Sequence, residues 1–275
     1  MGTHGRRAPD AAEVRVQLEQ LPEKANEAWT RLRHELIGIL GDDLVAIWAY
    51  GGTTAVDGPP RSADLDTYVI VRRRPDEATA RSTEAVHAEI AADAGVEWDA
   101  WYVLEEDARR PEAPLHAYRP DRRDTAWAIN RAHWLAGRYA LVHGREPDGL
   151  VPAPTWSELQ TDLDRELEHI ERHVLEGDTD PYEATYAVLN GSRILRAIKT
   201  GDVAISKRGA GHWGLEHLPD RWHPALLAAG RIYDGTSTAE DEALLAAEMG
   251  PFVAMVRARL PSAPRPHGLP RWSGY

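Results

Sequence analysis

The chain has 275 residues, 32 of them basic and 44 acidic, for a formal charge of −12, and it has no cysteine. An acidic surface repels a phosphate backbone, which disfavours bulk nucleic-acid binding, and the lack of thiols excludes disulfides, thiolate nucleophiles and cysteine zinc sites. No apolar run approaches the roughly 18 residues of a membrane span, and the polar, basic stretch Met1 to Pro9 has no apolar core of the signal-peptide kind. A cytoplasmic protein without nucleic-acid or membrane partners is expected, with a monomer favoured.

In chain order, residues 10–40 read as helical. Val14, Leu18 and Leu21 form one stripe, Pro22 opens a second helix, and Ala28, Leu32, Leu36 and Leu40 continue it to a stop at Gly41. The short apolar run Leu44 to Tyr50 ends at Gly51-Gly52 and reads as a buried strand. After a loop containing Gly58, Pro59 and Pro60, residues 63–71 read as a second strand with acids in its first half. Residues 75–93 are predicted helical, and Val96 to Leu104 is a third strand. The alternation implies an α/β domain. A further helix is predicted over 124–142, and the Gly- and Pro-rich stretch from Gly144 to Pro154 marks the boundary, giving domains 1–154 and 155–275. Beyond it the pattern is all-α: Thr155 and Glu158 have capping-box spacing, and Leu159, Leu163, Leu167, Ile170 and Val174 form one face. Further helices fit 181–199, 221–231 and 238–260, with a loose tail from about 261.

The chemistry concentrates in Gly51-Gly52-Thr53-Thr54 followed by Asp64-Leu65-Asp66. Residues i and i+2 of a strand share a face, so Asp64 and Asp66 present two carboxylates side by side while Leu65 turns into the core. Two such charges repel unless a divalent cation sits between them, and magnesium commonly takes one or two carboxylates together with substrate phosphates. The glycine turn offers backbone N–H groups and close approach, as a phosphate cradle requires. The third strand repeats the pattern with Glu97 and Asp99, either of which would complete a metal site or take a proton from an attacking hydroxyl. A lone Asp-x-Asp is common at exposed strand ends. The glycine turn, the buried continuation Tyr68 to Val71 and the second acid pair tip the balance towards function.

At these residues the chain resembles the nucleotidyltransferase superfamily, and more narrowly the aminoglycoside adenylyltransferases of the streptomycin/spectinomycin type. The likeness rests on Tyr50 to Gly58 with Ser62 to Asp66, and on a second block. That block runs from Tyr186 to Ile194 (YAVLNGSRI), through Thr200-Gly201 and Ser206-Lys207, to Trp213 to Pro219 (WGLEHLP). The resemblance implies a nucleotidyltransferase domain with a mixed sheet flanked by helices, plus an all-α C-terminal bundle. It implies that Asp64 and Asp66 bind magnesium and that Gly51, Gly52, Thr53 and Thr54, with Arg193 and Lys207, serve the triphosphate of ATP. Aligning Glu105-Glu106-Asp107 with the family's acidic cluster without gaps makes Asp99 the base; a shift of two makes it Glu97, and Asp99 is preferred. Glu183, with Asp180 or Asp178, would meet a cationic drug. The stretch 176–183 lacks the tryptophan of streptomycin users, so a spectinomycin-like aminocyclitol is expected, with transfer of AMP, release of pyrophosphate and a role in antibiotic resistance.

Two alternatives compete with this expectation: a toxin–antitoxin-type nucleotidyltransferase that modifies a protein, and a non-catalytic nucleotide- or drug-binding protein. The helical-domain block argues against the first, and the intact set of strand acids against the second. His169 and His173 have the i, i+4 spacing of metal ligands but lack the H-E-x-x-H order, and read as a solvated face. Trp48 and Trp98 read as core. Trp101, on the Asp99 face, is read as core, with stacking on a base or sugar as the alternative.

Overall fold

Helix α1 (Glu23–Leu40) begins where the apolar residues settle into helical spacing. It buries Trp29, Leu32 and Leu36 completely, each leucine contributing about 1.5–3 kcal/mol of transfer free energy. In this computed structural model the described residues are 17–54, 64–177 and 180–260, so Val14, the loop glycine and prolines, Asp178 and the tail lie outside them. Upstream of α1, the described residues of the expected helix form a short 3-10 turn at Leu18–Gln20, and Leu18 and Leu21 are buried as expected. The chain divides into two units: Met1–Asp124 with His133–Pro152, and Thr125–Ala132 with Ala153–Tyr275.

In the first unit, Gly41 at φ 51° ends α1 and the chain enters β1 (Leu44–Tyr50). The next elements are β2 (Asp64–Val71), α2 (Glu77–Ala94) and β3 (Glu97–Leu104). Asp76 caps α2 by accepting the Thr79 N–H at 2.8 Å, and Gly95, left-handed at φ 66°, ends it. A parallel strand pair needs a crossover, and α2 supplies it between β2 and β3. Then come the single turn α3 (Glu105–Ala108), α4 (Trp127–Leu135), whose residues up to Ala132 belong to the second unit, and β4 (Ala140–Gly144). The sheet has the order β3-β2-β1-β4, with β1 antiparallel to both of its neighbours. The mixed α/β architecture expected from the sequence is therefore present.

The helix expected over 124–142 is not continuous. Gly137 adopts φ 78°, its N–H bonds back to the Trp134 carbonyl and the Arg138 N–H to that of His133, so α4 closes and β4 follows. The apolar residues of Ala126 to Val142 keep helical spacing throughout, which concealed the strand.

Ile47, Ala49, Leu65 and Val69 join Trp29, Leu32 and Leu36 in one core on one face of the sheet. Its polar point is Thr67, fully buried, whose hydroxyl oxygen accepts the indole N–H groups of Trp29 at 2.8 Å and Trp98 at 2.9 Å. Alternation along the strands turns Asp64, Asp66, Glu97 and Asp99 to the other face.

The second unit contains α5 (Trp156–Leu175), α6 (Pro181–Thr200), α7 (Lys207–His217), α8 (His223–Tyr233) and α9 (Ala239–Arg259) around a core that includes Leu163, Leu167, Val188, Leu226 and Phe252. The capping box forms as expected: Thr155 Oγ1 accepts the Glu158 N–H, and the Glu158 carboxylate accepts the Thr155 N–H at 2.8 Å. Helix α7 was not anticipated, because Gly209, Gly211 and Gly214 lower helix propensity. Close packing explains the last of these, since a Cβ on Gly214 would sit 3.0 Å from two Leu226 methyl carbons. Among the described residues no helix is long and apolar enough to cross a membrane.

Candidate active site

The pairing of β2 with β3 sets the acids against one another. Asp64 is the Cα partner of Glu97 and Asp66 of Asp99, so two carboxylate pairs lie about 4.8 Å of strand spacing apart on one face. Asp64, Glu97 and Asp99 are exposed and Asp66 is half-buried. The side chains of Asp64, Glu97 and Asp99 form no ion pair or hydrogen bond among the described residues. Nor do any three histidines or acids there converge into a ready metal cage. The donor set fits magnesium in its usual mode of one or two carboxylates completed by water and phosphate oxygens, which needs no such cage.

Gly51 makes this arrangement possible. It lies at φ 77°, and a Cβ there would sit 1.8 Å from Asp66 Oδ2, so the Asp66 carboxylate occupies the space a side chain would fill. Residues Gly51–Thr54 form a 3-10 turn in which Thr53 and Thr54 are buried, their hydroxyls donating to the Tyr50 and Gly51 carbonyls at 3.3 and 3.2 Å. The sequence brought these hydroxyls forward as phosphate contacts. The structure engages them with backbone.

Two groups on the acid face escaped the sequence analysis. Tyr50 is the β1 partner of Asp66, and burial, reinforced by the charges of Asp66, Asp99 and Asp124, pushes its phenol well above the usual range. It is therefore a neutral hydroxyl among carboxylates. Asp124 is buried and accepts the Tyr68 hydroxyl, beneath rings of Tyr50, Tyr68 and Trp134 that pack 4.5 to 6.3 Å apart. Its distance along the chain from β1 and β2 left no local signal.

Trp101 is the next residue after Asp99 on the same face and is half-buried, as is Trp98, whereas Trp48 is fully buried. The His116 ring stands edge-on to Trp101 at 5.1 Å, and the Arg122 guanidinium lies over the indole at 5.2 Å. His116 Nδ1 accepts the N–H groups of Tyr118 and Arg119, and burial pushes its pKa down to about 4, so the ring stays neutral.

The remaining predicted residues belong to the helical unit. Arg193 donates to Asn190 Oδ1 at 3.1 Å, and the Lys207 ammonium lies 4.6 Å from the centroid of Tyr186, whose hydroxyl donates to Glu166. Glu183 is half-buried, 3.8 Å from His173, so His173 faces a carboxylate where a solvated face was expected; His169 is exposed. Asp180 caps α6 by accepting the Tyr182 N–H at 2.8 Å, which gives that acid a structural task. Asp178 is outside the described residues.

A mixed sheet with acids paired across two parallel strands, joined to a helical bundle, has the fold of the aminoglycoside nucleotidyltransferases. Residues 155–259 match the family model of the aminoglycoside adenylyltransferase C-terminal domain. Across 85% of its length the chain is similar in fold to the spectinomycin adenyltransferase of Enterococcus faecialis, crystallised with ATP and spectinomycin, with a TM-score of 0.66, 16% identity and 98% of that chain covered. No curated protein matches the chain.

Proposed function

We propose that the protein is a magnesium-dependent O-nucleotidyltransferase that moves AMP from ATP to a hydroxyl of a spectinomycin-like aminocyclitol. The observation that carries this is the register of β2 on β3, which stands Asp66 beside Asp99 next to a turn that must begin with glycine. Asp64 and Asp66 are the metal ligands. When bound, the ion offsets charge on the phosphates as transfer proceeds. Asp99 is the base: it takes the proton of the attacking hydroxyl while that oxygen bonds to the α-phosphorus and the bond to pyrophosphate breaks. Glu97, paired with Asp64 at the start of the strand, is the alternative base. The backbone of Gly51 and Gly52 and the cations Arg193 and Lys207 serve the phosphates. Glu183, with Asp180 or Asp178, meets the ammonium groups of the acceptor. An acidic surface favours such a polycation, and the cytoplasm, where ATP is held, is the proposed location.

The test is mass spectrometry of an aminocyclitol panel after incubation with ATP and magnesium, alongside a pyrophosphate assay. One added AMP per drug and equimolar pyrophosphate are expected. Asp66→Asn and Asp99→Asn should abolish turnover, while Glu97→Gln retains it within about tenfold. If Glu97→Gln is inactive and Asp99→Asn is not, the base is Glu97. Folded protein that binds ATP but labels no member of the panel overturns the acceptor class.

A further inference from the structure

The segment between β3 and α4 carries three neighbouring arginines whose surroundings differ. Arg119 forms an ion pair with Glu84 at 2.9 Å, and Arg123 donates to the Ala113 carbonyl. Arg122 is exposed and has no carboxylate within ion-pair distance among the described residues, in a chain with 44 acids. It is nevertheless held in place. Its N–H donates to the Arg119 carbonyl at 2.9 Å, its own carbonyl accepts the His116 N–H at 2.9 Å, and its guanidinium rests over Trp101.

Stacking uses the face of a guanidinium and leaves the N–H groups around its edge available. Those donors sit beside the acid face, because Trp101 follows Asp99 on that face and the guanidinium rests over its ring. A fixed cation there repels a cationic acceptor, so the partner it suits is an anion, and a planar fork of donors matches a phosphate.

We propose that Arg122, presented on the ring of Trp101, is a nucleotide-binding residue of the sheet unit that takes a phosphate group of the nucleoside triphosphate. The proposal rests on the nucleotidyltransferase function and adds a cation that neither the sequence motifs nor the family likeness supplied. The arginine relieves the repulsion that Asp64, Asp66, Glu97 and Asp99 would otherwise exert on a tetra-anionic substrate.

Titration calorimetry on the full chain tests it, with ATP, AMP and spectinomycin as separate probes in the presence of magnesium, at low and high salt. Arg122→Gln should weaken ATP about tenfold or more, lower the salt dependence of ATP binding and leave the Kd for spectinomycin unchanged. Arg122→Lys, which keeps the charge but not the fork, should recover part of the loss. An Arg122→Gln protein that binds ATP with the wild-type Kd and salt dependence overturns the role of Arg122 alone. Wild-type protein that binds no nucleotide overturns the nucleotidyltransferase function itself, and Arg122 with it.

Discussion

Replacing Gly51 by alanine tests the link between the turn after β1 and the acids on β2. A residue with a side chain at φ 77° carries a backbone cost of about 1–2 kcal/mol. The new methyl group would also lie 1.8 Å from Asp66 Oδ2 and 2.8 Å from its Cγ, distances that real Cβ atoms do not tolerate. The Asp66 carboxylate must therefore retreat by about 1 Å or more, and a displacement of that size in a reacting constellation costs on the order of 100-fold in rate. That is about 2.7 kcal/mol of transition-state stabilisation. Gly95→Ala is the control, since Gly95 lies at φ 66° with nothing within 4 Å of a built Cβ, so it carries the backbone cost without the clash. Urea unfolding should show both variants destabilised by about 1–2 kcal/mol. In the AMP-transfer assay only Gly51→Ala should lose about two orders of magnitude in kcat/KM. Wild-type turnover by Gly51→Ala, or an equal loss in Gly95→Ala, refutes the argument that Asp66 needs the vacant Cβ position.

Thr67→Val keeps the shape but removes the acceptor for two indole N–H groups, so urea unfolding should show a loss of about 2–4 kcal/mol, while AMP transfer persists because Thr67 lies on the face away from the acids. An unchanged midpoint would mean that the indoles find other acceptors. The buried His87 and His116 both titrate near 4 in the folded protein, against about 6.5 when unfolded. Between those values the unfolded chain binds more protons, so the histidine contribution is complete above about pH 6.5 and is lost as the pH falls towards 4, by about 3 kcal/mol per histidine at most. Urea midpoints at pH 7, 5.5 and 4.5 should fall in that order, and a flat series refutes the burial argument.

The parts of the fold legible in the sequence were those in which one residue pattern dictates one local structure. The run Leu44 to Tyr50 is apolar on both faces and too short for a helix, and it forms β1 over those residues. Thr155 and Glu158 announce the start of α5 by themselves. Strand β4 was illegible because only the left-handed turn at Gly137 separates it from a helix whose apolar spacing it continues. Helix α7 was hidden by glycines that serve packing against residues remote in sequence, Leu226 among them. In the site, the period of two placed each acid pair on one face, but only the ladder between strands shows which acid stands beside which. Tyr50, Asp124 and Arg122 reach the acid face through tertiary packing, to which no local motif points.

The parallel ladder between β2 and β3 also bears on how such a chain can change length. Residues gained or lost within α2 alter a crossover and leave the ladder alone. Loss of one residue between Gly95 and Glu97 would invert β3, burying both acids against Leu65 and turning Trp98 outward. Gain of two residues there restores the facing and slides one acid into the place of the other, so that Glu97 meets Asp66. A chain of this fold can therefore exchange aspartate for glutamate beside Asp66 in a double step, with every single step between them closed by the core.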